Sequence, residues 1–254
     1  MKKARGLINY CGNKEKLLPT ISQYFPKHYN RFVDAFCGGL SVSLYVEGDV
    51  LANDYDHRLI EAYKAIDAHP NPVSTIKRII AENGLNKEDK DAYIAFRKKY
   101  NENPDPLSLF ILIQHSFSNI NRHNRKGEFN ANFGRRTFNE NAVERVLNFK
   151  EENKDGRINF TSGRYDEIEI LPGDFVYSDI PYLITSAEYN KLWSVEELKF
   201  TAKLYIFRLA IAMLSLTVTV MYMLLKAVRL RLMLNIVHGD IKPLTWIFLI
   251  LEYV

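Results

Sequence analysis

Residues 31–54 restrict the fold more than any other part of the chain. Residues 31–37 read as a buried strand ending in the turn Phe36-Cys37-Gly38-Gly39-Leu40. Leu40, Val42, Leu44 and Val46 follow as a helical run, stopped by Gly48. Val50-Leu51-Ala52 is a second short strand, closed by Asn53-Asp54. A strand, a glycine turn, a helix, a strand and an acid, in that order, make the opening half of a dinucleotide-type α/β unit. No Gly-Lys-Ser/Thr follows the glycines, which excludes a phosphate-binding loop of that kind. Asp54 stands where a carboxylate can accept hydrogen bonds from both ribose hydroxyls of a nucleoside. Position alone leaves this and a solvated turn acid both open.

Residues 57–115 change period. Leu59, Ile60, Tyr63 and Ile66, then Ile76, Ile79 and Ile80, recur at helical spacing. His69-Pro70-Asn71-Pro72, Asn83-Gly84 and Asn103-Pro104-Asp105-Pro106 break the runs. The spacing predicts a helical insertion into the sheet domain. Strand-like runs return at residues 158–161 and 175–177, and Ser178-Asp179-Ile180-Pro181-Tyr182 follows the second. That places Asp179 on the sheet edge where open α/β folds bind ligands. An Asp, a prolyl turn and an aromatic can hold a planar amine, the acid and a carbonyl accepting its hydrogens while the ring stacks. A surface turn with a half-buried Tyr is the plainer alternative.

A chain of 254 residues suffices for one large domain, or a domain with an inserted lobe. Its 47% apolar and 25% charged residues exclude collagen, low-complexity disorder and a disulfide scaffold. Cys11 and Cys37 form neither a redox CxxC pair nor a zinc set, and the N-terminus lacks a basic-then-apolar signal segment, so a reducing cytoplasm is expected. Residues 1–199 carry 28 basic and 28 acidic side chains, so any nucleic-acid contact there must rest on a local patch. The patch the sequence offers is 117–136, with Arg122, Arg125, Lys126, Arg135 and Arg136 against Glu128, and with Phe117, Phe129 and Phe133 interleaved. It reads as a nucleic-acid contact hairpin or as a solvated charged one.

Taken in order, these pieces resemble the Dam-type (D12 class) DNA adenine N6-methyltransferases, the bacteriophage Dam enzymes above all, over roughly residues 6–198. Tyr10-Cys11-Gly12-Asn13-Lys14 with Leu17-Leu18-Pro19 resembles the N-terminal cofactor motif. Phe32-Val33-Asp34-Ala35-Phe36-Cys37-Gly38-Gly39-Leu40-Ser41-Val42 resembles the glycine motif, and Leu51-Ala52-Asn53-Asp54 the acidic motif after it. Phe117-Ser118-Asn119, Arg122 and Phe133-Gly134-Arg135-Arg136-Thr137 resemble the target hairpin. The run from Asp174 through Asp179-Ile180-Pro181-Tyr182 to Tyr189-Asn190-Lys191 and Trp193-Ser194 resembles the catalytic motif and its flank.

The resemblance implies an α/β, Rossmann-like S-adenosylmethionine-dependent methyltransferase sheet with an inserted, mostly helical DNA-recognition lobe. Residues 1–58 and 151–199 form the cofactor-binding catalytic domain, and 59–150 the lobe, with its hairpin at 117–137. Tyr10, Lys14, Phe36, Gly38, Asp54 and Asp179 contact the cofactor. Phe117, Ser118, Arg122, Asn124 and Arg136 contact DNA. Asp179, Pro181 and Tyr182 form the adenine pocket. The implied reaction is methyl transfer to adenine N6 in GATC duplex DNA by base flipping, with no metal and no obligatory protein partner, in a bacterial or phage-infected cytoplasm.

Two departures stand out. The family motif reads Asp-Pro-Pro-Tyr, whereas Ile180 here keeps the carbonyl but not the fixed proline torsion. Beyond about Lys199 the family pattern stops, and residues 200–254 hold six basic and two acidic groups in an apolar tail. Residues 209–225 carry no charge, slightly short of the roughly 20 residues of a membrane helix, so a membrane-associated protein is one alternative. A catalytically impaired DNA-binding relic is another. The tail itself reads as translation in a shifted frame. Its His238-Gly239-Asp240-Ile241-Lys242-Pro243 resembles a kinase catalytic loop, but Thr245 stands where Asn is needed and no kinase glycine loop precedes it.

Overall fold

The computed structural model describes residues 5–9, 12–179 and 248–249. Its strands are β1 (Arg31–Asp34), β2 (Asp49–Asp54), β3 (Ile158–Ser162), β4 (Asp174–Ser178) and β5 (Phe248–Leu249), joined in the order β3-β2-β1-β4-β5. The first four are parallel, with Phe32 of β1 level with Val50 of β2 on one side and Phe175 of β4 on the other. β5 runs antiparallel to β4, Tyr177 opposite Leu249 and Ser178 opposite Phe248.

Strands β1, β2 and β3 are laid down in one direction, and β4 then falls on the far side of β1. The order reverses between β1 and β4, and doubly wound sheets take their ligands in the crevice outside the carboxyl ends of the strands at such a reversal. The glycine turn leaves β1 on that edge, Asp54 ends β2, and Asp179 follows β4.

The helices are α1 (Leu18–Ile21), α2 (Ser41–Tyr45), α3 (His57–Ala68), α4 (Pro72–Glu82), α5 (Lys90–Glu102), α6 (Pro106–His115) and α7 (Glu140–Glu152). The helical run expected after the glycine turn is only five residues long, because Leu40 enters it in a left-handed conformation (φ 65°) and Val46 leaves it extended. Arg157 holds this short helix by donating to the carbonyls of Ser43, Leu44 and Gly48.

Helices α3–α7 all lie between β2 and β3, so the insertion expected from the change of period is present. The sequence breaks mark its joints. Asp56, Asp89, Asp105 and Asn139 each accept a backbone N–H at the start of α3, α5, α6 and α7. Each such cap is worth about 1 kcal/mol. Pro72 and Pro106 open α4 and α6, where a missing N–H costs nothing. Residues 108–115 of α6 are buried throughout, with α3, α4 and α5 packed around the helix. Helix α3 also packs on β2 and β3, which joins the insertion to the sheet.

Beneath the sheet, Phe25 meets Phe32 and Phe175 with ring centres 5.4 and 5.6 Å apart. Phe32 and Phe175 are fully buried, each stabilising the fold by about 1.5–3 kcal/mol. Among the described residues no helix is long and apolar enough to cross a membrane. The expectations for Tyr10, Ile180, Pro181 and Tyr182, for the apolar stretch 209–225 and for nearly all of the tail fall outside the described residues.

Candidate functional site

Three strand ends converge on the crevice. Asp54 Oδ2 accepts from Gly38 N at 3.0 Å and Oδ1 from Asp56 N at 2.9 Å, so backbone donors orient the carboxylate across the glycine turn. Burial raises the Asp54 carboxyl to about 6, and these two hydrogen bonds oppose the rise. The Tyr63 hydroxyl, carried by α3, donates to Gly38 O at 2.5 Å and pins the turn from the other side.

Lys14 is buried and forms an ion pair with Asp179 while donating to Gly12 O at 3.0 Å. Its own N–H donates to Ser41 Oγ at the start of α2. The segment bearing Lys14 is pressed against the glycine turn. A Cβ on Gly6 would lie 2.3 Å from Gly39 O, so only glycine permits that approach. The structure thus brings Lys14, Phe36, Gly38, Asp54 and Asp179 to one edge.

Reasoning from the sequence missed three residues here. Asp34 ends β1 and is 1% exposed. Its Oδ2 accepts from Ser43 Oγ at 2.6 Å, while its Oδ1 is buried with no hydrogen-bond partner. Burial pushes this carboxyl to about 7, the Ser43 bond opposes, and the charges of Asp179 and Asp54 add to the rise. Tyr165 stacks on Phe36 with centres 5.4 Å apart. It lies three residues past β3, and its place on the same edge was the signal available in the sequence. Tyr63 looked like one more apolar position of α3.

The segment expected to form a hairpin at 117–137 folds as an irregular two-armed arch. Bridge pairs Ser116–Phe133 and His123–Phe129 join its arms, and a turn over residues 124–127 closes it. Ser118, Asn119 and Arg135 sit at φ 56°, 54° and 49°, which interrupts a continuous ladder. Side chains hold the arch instead. Arg122 donates to Asn130 Oδ1 at 2.9 Å and to Asn130 O at 2.7 Å. Asn124 Oδ1 accepts from the backbone of Lys126 and Glu128. Arg136 is exposed and donates to Asn119 Oδ1 at 3.1 Å. Phe117 is 62% exposed, beside the exposed Ser118. Arg125, Lys126 and Arg135 are exposed on the same arch. Arg122 and Asn124 are thus half-buried and bonded within the arch, whereas Phe117 and Arg136 are exposed on it.

Four parallel strands with a glycine turn after β1, an acid ending β2 and an acid after β4 define an α/β fold of the Rossmann-like methyltransferase type. The model of the D12 class N6 adenine-specific DNA methyltransferases matches residues 10–203, and the chain belongs to that family. It is 40% identical to Modification methylase StsI of Streptococcus sanguinis over 192 residues, 72% of this chain and 29% of StsI. It is 32% identical to Type II methyltransferase M.FokI of Planomicrobium okeanokoites over 191 residues, 72% of this chain and 30% of M.FokI. With the DNA adenine methylase of Serratia marcescens it shares 26% identity over 195 residues, 75% of this chain and 71% of the relative. The chain therefore spans about three tenths of the length of the first two relatives.

Proposed function

We propose that this chain transfers the methyl group of S-adenosylmethionine to adenine N6 in duplex DNA at GATC sites. The observation that carries the reading is the convergence of Lys14, Asp54 and Asp179 on the crevice where the strand order reverses. The donor set suits the cofactor. The Lys14–Asp179 pair matches the carboxylate and ammonium of its amino-acid end. Asp54 has lone pairs beyond those its backbone donors use, which suit a ribose diol. Phe36 and Tyr165 offer flat apolar faces for its base.

When bound, the cofactor supplies an electrophilic sulfonium methyl, and the protein's task is mainly to position the amine. Adenine N6 is a poor nucleophile because its lone pair is delocalised into the ring. Asp179 and the Ile180 carbonyl accept the two N6 hydrogens and draw the nitrogen toward a tetrahedral shape, while Tyr182 stacks on the base and Pro181 completes the adenine pocket. Extruding the base costs about a few kcal/mol, which stacking on Tyr182 partly offsets. Residues 59–150 act as the target lobe, with Phe117, Ser118 and Arg136 at the DNA and Arg122 and Asn124 shaping the arch that presents them. The protein works in a bacterial or phage-infected cytoplasm without an obligatory protein partner.

The test is tritiated-methyl transfer to GATC and scrambled duplexes, by this chain and by Ile180→Pro. Methylation confined to GATC is the expected result. Methylation of another adenine-containing site would replace the target and keep the chemistry. Ile180 favours a second reading, an impaired relative. Silence from the native chain with rescue by proline would select it.

A further inference from the structure

The cofactor carboxylate and the target arch are joined by one residue. Asp56 donates its backbone N–H to Asp54 Oδ1 at 2.9 Å. Its side chain divides between two neighbours: Oδ1 caps α3 by accepting from Arg58 N at 3.1 Å, and Oδ2 accepts from Asn121 Nδ2 at 2.6 Å. Asn121 lies in the first arm of the arch, immediately before Arg122, and its own Oδ1 is buried without a partner. Arg58 also lies close to the arch turn, since a Cβ added at Gly127 would lie 3.0 Å from Arg58 Nη2. The start of α3 therefore touches the cofactor acid on one side and the arch on the other.

We propose that the Asp56–Asn121 hydrogen bond is a coupling element, through which a nucleoside held at Asp54 orders the target arch and so tightens DNA binding. The inference rests on the methyltransferase reading above and adds residues that act through others, so both are positioning residues. Donors arriving at Asp54 fix the backbone of residue 56, and with it the start of α3 and the arm hung on its side chain. Whichever ligand binds first orders the shared element, and the second meets less disorder. The effect is reciprocal, DNA tightening the cofactor by the same factor.

The experiment titrates a GATC duplex against the full chain by fluorescence anisotropy, with and without saturating S-adenosylhomocysteine, and titrates that compound alone. In the native chain the compound should tighten DNA binding by roughly tenfold, within the usual range of coupling between sites. Asn121→Asp sets two carboxylates against each other and should reduce that factor to about one. Adding Asp56→Asn to Asn121→Asp restores a hydrogen bond of opposite polarity, keeps a good helix cap, and should restore the factor. Coupling that survives Asn121→Asp in folded protein would overturn the inference, as would coupling lost in the single variant and not recovered in the pair. Both results would leave cofactor and DNA binding by the native chain intact, so the methyltransferase reading would stand. A native chain that binds neither ligand would overturn both.

Discussion

The Arg145 guanidinium grips the Glu15 carboxylate with two nitrogens, tying α7 to the segment that carries Lys14. Arg145 Nη1 also donates to Gly6 O at 2.6 Å, and Glu15 accepts from Gly6 N at 2.9 Å. The two side chains are only 8% and 17% exposed, so water competes little. Removing one member of such a pair strands the other charge in the interior. Arg145→Ala should therefore destabilise the fold by about 3–5 kcal/mol. Arg145→Lys should recover only part of this, because an ammonium lacks the planar fork. Urea unfolding measures both. A loss below about 0.5 kcal/mol, typical of surface substitutions, would contradict the role assigned to the pair.

Asp34 makes stability depend on pH in an unusual direction. Its folded value of about 7 exceeds the ordinary 3.8. Between those values the native chain keeps a proton that the unfolded chain has released, so stability falls as pH rises. The contribution is complete below about pH 4 and lost above about pH 7, with a size on the order of 4 kcal/mol. Asp34→Asn keeps an acceptor for Ser43 and removes the charge. Its stability relative to the native chain should be greater at pH 8 than at pH 5. An equal difference at both pH values would mean that Asp34 does not titrate in this window.

The fold was largely legible because local signals agreed with one another. Glycines after an apolar run, an acid after the next run and proline-rich breaks between helical periods each have one simple structural use, and β1, β2 and the joints of α3–α6 followed them. Asp54 was singled out by its place at the end of the second strand and Lys14 by the family resemblance, and the structure brings both to one edge. Asp34 was hidden because a strand-end acid looks the same in sequence whether it is buried or solvated. Tyr165 and the Arg145–Glu15 pair were hidden because they act across 129 and 130 residues of chain, and no local pattern records such a meeting. The irregularity of the arch was hidden because Asn and Arg side chains, whose partners a sequence does not name, replace ladder bonds.

In the proposed cofactor site, Asp54 should make affinity depend on pH. An ionised carboxylate only accepts hydrogen bonds, whereas a protonated one gives up part of that capacity. With burial holding the carboxyl at about 6, the binding form is lost as pH falls through that value. S-adenosylhomocysteine is a suitable probe, since its own charges stay constant between pH 5 and 7. Its affinity should drop below pH 6 toward tenfold per unit, and Asp54→Asn should bind at least roughly tenfold more weakly without the break at 6. Calorimetric titration from pH 5 to 8 reads both. A break that persists in Asp54→Asn would assign it to another group, with Asp34 the nearest candidate.

Phe117 and Arg136 should separate affinity from sequence choice. Phe117 is 62% exposed and adds little to the core, so Phe117→Ala should change stability by less than about 0.5 kcal/mol. On DNA it should cost about 1–3 kcal/mol, the usual worth of an aromatic against a base. Arg136 is steadied by Asn119, whose amide also donates to Ile113 O at 3.3 Å and so fixes the arginine's support to α6. Arg136→Ala should relax the proposed preference for GATC over a scrambled duplex by about 1–3 kcal/mol, and Asn119→Ala should produce a weaker version of the same loss. Arg122→Ala should instead weaken binding to both duplexes, because its guanidinium holds Asn130 and the arch as a whole. Binding isotherms on the two duplexes distinguish these outcomes. Equal weakening by Arg136→Ala on both would make Arg136 a phosphate contact, and selective loss in Arg122→Ala would return base reading to Arg122.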